Sequence, residues 1–287
     1  MFYLISVHLI EAASVVLFLL ALRQALKDSR YKAAELFFAF VYGLILEELD
    51  IFFFRTYHYG PGFFLQLGNA PLAIAFLWSL IITSSMAISD RLGIRGFAKP
   101  FLDGLLAVLI DIGVDAVAIR IGYWTWTIPL TEGWFGVPAG NLWSWIWVAF
   151  SYSAVTRLVR WFGRRDAGRY AYQILAPFGA YLILFTVIVL VGLVTVRFGL
   201  RTETQRLWIF YGHVAVFAAV AGVSRRTAKS VEPSSPVLGI LRASRLLIHL
   251  YFLAALLVTG MVLREPLIAC AALAAFSVEL AVNKRMA

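Results

Sequence analysis

The sequence predicts an all-α protein, a polytopic transmembrane bundle of about nine helices in one membrane domain, and three observations carry that prediction. Hydrophobic residues make up 62% of the chain and charged residues only 14%, where soluble domains carry near 25% charged residues; mean hydropathy is +0.84. Nine apolar stretches, each near the ~20 residues that cross a ~30 Å hydrocarbon layer, recur along the chain. Basic residues gather in alternate connections, the pattern of a multi-pass chain with Lys and Arg retained inside.

The first stretch, 3–22, lacks a basic n-region and holds Glu11 within its apolar part, so it reads as a retained helix and not as a secretion signal. The second, 36–54, carries Glu47, Glu48 and Asp50 near its far end, and 70–89 follows. Stretch 101–121 holds Asp111 and Asp115. After it come 143–160, rich in tryptophan, then 172–196 and 207–223. A polar connection, 224–245, containing Glu232, Pro233, Ser234, Ser235 and Pro236, reads as a cytoplasmic loop. It divides core helices over about 1–223 from a terminal helix pair over 246–283, made of 246–263 and 266–282. No internal repeat is visible. The single cysteine, Cys270, excludes an intramolecular disulfide, argues against a Cys-ligated metal site, and reads as a buried, inert thiol.

Orientation follows from the basic residues. With the N-terminus outside and the C-terminus cytoplasmic, 19 of the 25 Lys and Arg fall in the inner segments 23–32, 91–99, 157–169, 225–245 and 284–285. Arg55, Arg120, Arg197, Arg201, Arg206 and Arg264 are left outside. The net charge of +9 is then a topology signal and an attraction to anionic lipid, not a nucleic-acid footprint. The expected location is the plasma (inner) membrane, with lipids as partners.

Asp111 and Asp115 are the most informative residues. At 1.5 Å per residue Asp111 lies about 15 Å into its helix, near mid-bilayer, where each acid costs about 2.5–3.5 kcal/mol on insertion scales, so a functional site facing the bundle interior is the default reading. Glu47 lies about 16 Å into its own helix, a similar depth. Glu47 and Asp50 share a face, whereas Glu48 points about 100° away. Two carboxyls four apart lie roughly 6 Å from each other and do not both ionise in a low dielectric. The neutral one suits protonation of a weak base, and its ionised neighbour suits stabilisation of a cation or activation of a water. The competing reading has Asp111 and Asp115 hydrogen-bonded to neighbouring helices or paired with Arg120 and Arg55. Glu48 and Asp50 can equally reach the interface. Trp124, Trp126, Trp134, Trp143, Trp145 and Trp147 fall where an interfacial aromatic belt is expected; beside membrane carboxyls, Trp124 and Trp126 would also line a slot for a long apolar chain and shield a cation.

These residues resemble the integral-membrane carotenoid biosynthesis proteins, the family that includes the carotenoid hydratases acting on bisanhydrobacterioruberin and on γ-carotene. The likeness covers about 46–145. It rests on Glu47 or Glu48, Tyr57-His58-Tyr59, Pro71 with Trp78, Asp111 and Asp115, Gly122 with Trp124 and Trp126, and Gly136-Val137-Pro138 with Asn141 and Trp145. Asp50 to Thr56 replaces the family's glycine-rich pattern, which marks a divergent member, and the helices after Trp161 carry no family motif. The resemblance implies the fold and an isoprenoid or carotenoid substrate.

Adding water to a terminal isoprenoid double bond needs an acid to protonate carbon, a site that tolerates a tertiary cation, and a delivered water; it needs no cofactor. The expected roles are proton donation for Asp111 and Asp115, water positioning for Glu47 and Glu48, orientation for Asn141 and Tyr59, cation shielding for Trp124 and Trp126, and substrate contact for Trp78 and Trp145. His8 and Glu11 are the nearest approach to a metal motif, and the scattered His58, His213 and His249 do not extend it, so no metal is expected. None of the five lysines lies inside a stretch where it could form a buried Schiff base, and no Ser-His-Asp or Gly-x-Ser-x-Gly pattern is present. The competing class is a proton- or cation-coupled transporter or lipid-binding membrane protein using the same carboxylates, although paired repeats are not evident.

Overall fold

Each of the nine apolar stretches becomes a long helix, with ends set by local chemistry. The computed structural model describes residues 2–94, 96–163, 169–224 and 236–285. Helix α1 (Phe2–Asp28) turns into α2 (Arg30–Leu49) across Ser29, whose side chain accepts from the Tyr31 N–H at 3.2 Å. At Leu49 the helix widens into one π turn, Asp50–Phe54, and stops where Arg55 turns left-handed (φ 52°). Then follow α3 (Leu72–Arg91), α4 (Lys99–Ile121), α5 (Ala139–Gly163) and α6 (Leu175–Arg197). Helix α7 (Glu203–Val223) opens with a Thr202/Gln205 capping box. The chain ends in α8 (Pro236–Val258), the single turn α9 (Met261–Arg264) and α10 (Pro266–Lys284).

Six of these helices, α1, α3, α6, α7, α8 and α10, are long and apolar enough to cross a membrane; the protein is a multi-pass membrane helix bundle. The other three long helices, α2, α4 and α5, carry Glu35 and Glu47, Asp103, Asp111 and Asp115, and Arg157 and Arg160. Helix α4 packs against α3, α5, α7, α8 and α10, so its buried Asp103, Asp111 and Asp115 lie inside the bundle and not against lipid. Close approach makes this possible: a Cβ on Gly104 would stand 2.6 Å from the Ile146 carbonyl of α5.

Helix α8 begins ten residues before the expected 246. Arg242 and Arg245, which read as loop residues, are interior: Arg242 bonds Asn283 at 2.8 Å, and the fully buried Arg245 pairs with Glu279 at 2.7 Å while also reaching Ser85 (3.0 Å) and the Leu106 carbonyl (2.7 Å). These bonds fasten α8 and α10 to α3 and α4. A second knot joins α2, α3, α4 and α5: Arg157 bonds Asp103 at 3.0 Å and Asp90, and Arg160 bonds Glu35 and, at 3.3 Å, Asp90. Arg164, Lys229 and the 232–235 stretch lie outside the described residues.

Two expectations are corrected. None of Trp124, Trp126, Trp134, Trp143, Trp145 and Trp147 is exposed; Trp161 and Trp208 are the exposed tryptophans. Cys270 is exposed on α10, so it faces out of the bundle.

Candidate active site

A ribbon closes one end of the bundle. Strand β1 (Tyr57–Tyr59) pairs antiparallel with β4 (Trp124–Trp126), setting Tyr57 opposite Trp126 and Tyr59 opposite Trp124. The pleat puts these four rings on one side and His58 and Thr125 on the other. A further tie, from Gly60 N–H to the Tyr123 carbonyl at 2.8 Å, draws the backbones so close that a Cβ on Gly60 would meet the Gly122 carbonyl at 2.1 Å. Gly122 itself ends α4 in a left-handed turn (φ 93°).

Under the ribbon lies a pocket of about 140 Å³, lined by Glu47, Asp50, Asp111, Asp115, Asn141 and Ser144 among otherwise apolar and aromatic side chains. That volume is far above the ~10–15 Å³ that one water requires. Asp115 accepts three N–H donors: Trp124 Nε1 at 2.5 Å, Trp126 Nε1 at 3.3 Å and Asn141 Nδ2 at 2.6 Å. Asp111 accepts one, from the same Asn141 Nδ2 at 3.0 Å. Asn141, at the start of α5, thus bridges both carboxyls with its two amide hydrogens. Glu47 is held by Tyr57, by Tyr59 at 2.5 Å and by Trp78 Nε1 at 2.6 Å. Burial first, and the Glu47 carboxylate second, push the phenols of Tyr57 and Tyr59 well above their ordinary range, so both stay protonated donors. Trp145 lies against Trp78 with ring centroids 4.1 Å apart.

The structure therefore brings together Glu47, Tyr59, Trp78, Asp111, Asp115, Trp124, Trp126, Asn141 and Trp145. It leaves out Glu48, which is not in the pocket lining: its carboxylate accepts from the backbone N–H of Asn69 and of Ala70, each at 2.6 Å, and braces the turn between β2 (Gln66–Leu67) and β3 (Ala70–Pro71). The 100° rotation from Glu47 accounts for this. Glu11 holds the same connection through Phe64 N–H (2.8 Å) and Leu65 N–H (2.9 Å).

Arg120 does not pair with the aspartates; it binds Glu265 at 2.5 Å and the Phe135 carbonyl at 2.9 Å. Among the described residues no cation bonds Glu47, Asp111 or Asp115, and no three His, Cys, Asp or Glu side chains are placed to hold a metal ion. Sequence reasoning missed Tyr57 as a Glu47 partner, although its two-residue spacing from Tyr59 was a readable signal. It also missed Ser144, Phe185, Ile248 and Phe252, which line the pocket; the three apolar ones have nothing in their residue type to set them apart from other apolar residues of their helices.

Fold and pocket define a multi-pass membrane protein whose largely apolar cavity is lined by four carboxyls, Glu47, Asp50, Asp111 and Asp115, none of them ion-paired among the described residues. The chain belongs to the carotenoid biosynthesis protein family, whose family model matches residues 4–204. No curated protein and no solved structure matches the chain.

Proposed function

We propose that this protein is a membrane-embedded carotenoid- or isoprenoid-modifying enzyme, a cofactor-independent hydratase that adds water to a terminal isoprenoid C=C. One observation carries the reading: two carboxyls share one amide, and their other donors are unequal. Asp115 receives three N–H bonds and Asp111 one. Donors stabilise the anion, so the negative charge belongs on Asp115 and the proton on Asp111.

The reaction then runs on this chain's own side chains. The Asp111 O–H bond breaks and its proton forms a C–H bond with the less substituted alkene carbon, leaving a tertiary cation on the other. The Asp115 carboxylate and the faces of Trp124 and Trp126 stabilise that cation. A water oxygen bonds to the cation and releases one proton, which restores Asp111. The sum is one water added, with nothing oxidised or reduced. Glu47, held by Tyr57, Tyr59 and Trp78, orients that water. Trp78 and Trp145 give a flat conjugated chain a surface to lie on. The lysine and arginine distribution puts the pocket in the outer half of the membrane, with the C-terminus cytoplasmic; labelling positions 164 and 229 from the outer face would reverse that orientation.

The test is chemical. The purified chain, incubated with acyclic carotenoids or polyprenyl lipids, should yield a product heavier by one water. Ion flux in liposomes, with no mass gain on any of these lipids, would instead support the transporter reading.

A further inference from the structure

The family match ends at residue 204, yet the pocket does not. Helix α8 contributes Ile248 and Phe252 to its lining, one helical turn apart and therefore on one face. Both are buried and belong to the same apolar cluster as Ile110 and Val114, which flank the aspartates on α4. Phe252 is seated at the root of the ribbon: its ring lies 6.2 Å from the Tyr123 ring, edge to face, and 5.1 Å from that of Tyr251. Tyr123 immediately precedes Trp124, the donor to Asp115.

Helix α8 cannot drift from this position. The Tyr251 hydroxyl bonds that of Tyr123 and donates to the Ser6 carbonyl of α1 at 2.8 Å. One turn from Ile248, Arg245 is tied to Glu279, Ser85 and Leu106. Gly113 of α4 lets α10 and α8 approach α4 closely, since a Cβ there would stand 3.4 Å from both Ala272 and Ala275 and 3.7 Å from His249 Nδ1. A rigid wall of two large side chains beside the reacting groups has the properties that decide fit in an apolar pocket, where shape does the discriminating.

We propose that α8 is the specificity wall of this pocket: Ile248 and Phe252 fix how wide an isoprenoid end group can be and still reach Asp111. The proposal rests on the isoprenoid reading given above and adds to it the residues that choose among isoprenoids. Shortening either side chain should therefore admit a wider, cyclised end.

The experiment measures polyene binding by quenching of tryptophan fluorescence, using the full chain in lipid nanodiscs. The probes are lycopene, with two acyclic ends, and β-carotene, with two rings. Phe252→Ala and Ile248→Ala should each shift the affinity ratio toward β-carotene by about ten-fold, while Phe252→Trp should weaken lycopene itself. Phe252→Leu, a milder change that keeps the fold, should move the ratio in the same direction as Phe252→Ala. Leu250→Ala, on the exposed face of α8, should leave it unchanged. Variants that bind lycopene like the wild type and keep the wild-type ratio overturn the specificity wall alone. A wild-type protein that binds neither polyene overturns the isoprenoid reading, and the wall with it.

Discussion

Two sets of buried acids occupy this bundle, and they are neutralised in different ways. Glu35, Asp90, Asp103 and Glu279 each meet an arginine. Among the described residues, Glu47, Asp111 and Asp115 meet only the neutral donors of Tyr, Trp and Asn. Helix α4 carries both kinds, Asp103 of the first set and Asp111 and Asp115 of the second, with Asp103 and Asp111 about 12 Å apart along its axis. A carboxylate beside a buried guanidinium is held ionised, and removing either partner leaves an uncompensated charge. A carboxyl among neutral donors carries no such obligation, and its proton remains exchangeable. The first set fastens helices together; the second is available for chemistry.

The largest expected effect separates the sets most sharply. Asp111→Asn should reduce hydration to background, a loss of about 10²–10⁴-fold, with thermal stability close to wild type because its one hydrogen bond can be remade by an amide. Asp115→Asn should be equally inactive for another reason: its amide cannot accept from both tryptophans and Asn141 at once. Full activity in both variants would move the acid to Glu47. Product mass and thermal unfolding, measured side by side, decide between these outcomes.

Next in size is the arginine-held set. Arg245→Met should destabilise the protein by about 3–5 kcal/mol by stranding Glu279, and adding Glu279→Met should recover most of that loss. Unfolding in detergent reads both. A single variant as stable as wild type would mean that the pair does not fasten α8 and α10.

A smaller effect tests how Asp115 is held. Trp124→Phe keeps an aromatic face but removes the N–H, and a hydrogen bond to a charged group is worth about 1.5–3 kcal/mol, so turnover should fall roughly ten- to hundred-fold. Trp124→Ala should remove the face as well and lower turnover further without abolishing it. If Trp124→Phe turns over at the wild-type rate, the indole serves as a wall and not as a donor.

The smallest effect belongs to the acid that stands outside the pocket. Glu48→Gln should cost about 1 kcal/mol of stability by weakening its bonds to Asn69 and Ala70, with turnover unchanged. A dead Glu48→Gln protein that remains folded would return Glu48 to the catalytic set.

Much of the site was legible in the chain because helices obey a fixed rotation. Asp111 and Asp115 at a four-residue interval had to share a face, and Glu47 with Asp50 had to point away from Glu48. The sequence could not separate Glu48 from Glu47 in role, since both lie near one helix end and only the turn at Asn69 and Ala70 shows what Glu48 bonds. Arg242 and Arg245 read as loop because isolated charges before an apolar run ordinarily mark its boundary. Their partners, Asn283 and Glu279, lie 41 and 34 residues on, and no local pattern connects them. The tryptophans after α4 read as a belt for the same reason: composition gives their depth in the membrane but not the direction in which they face.

The sequence by itself determined the class, the nine long helices and the acids that they carry inside apolar stretches, because the ~30 Å apolar layer imposes length and polarity on each segment separately. Tertiary structure alone decided which acids are paired and which are free, that Asn141 bridges Asp111 to Asp115, and that α8 closes the pocket. Those outcomes depend on which helix faces meet, and meeting faces are a property of the whole bundle, set by close packing between residues far apart in the chain.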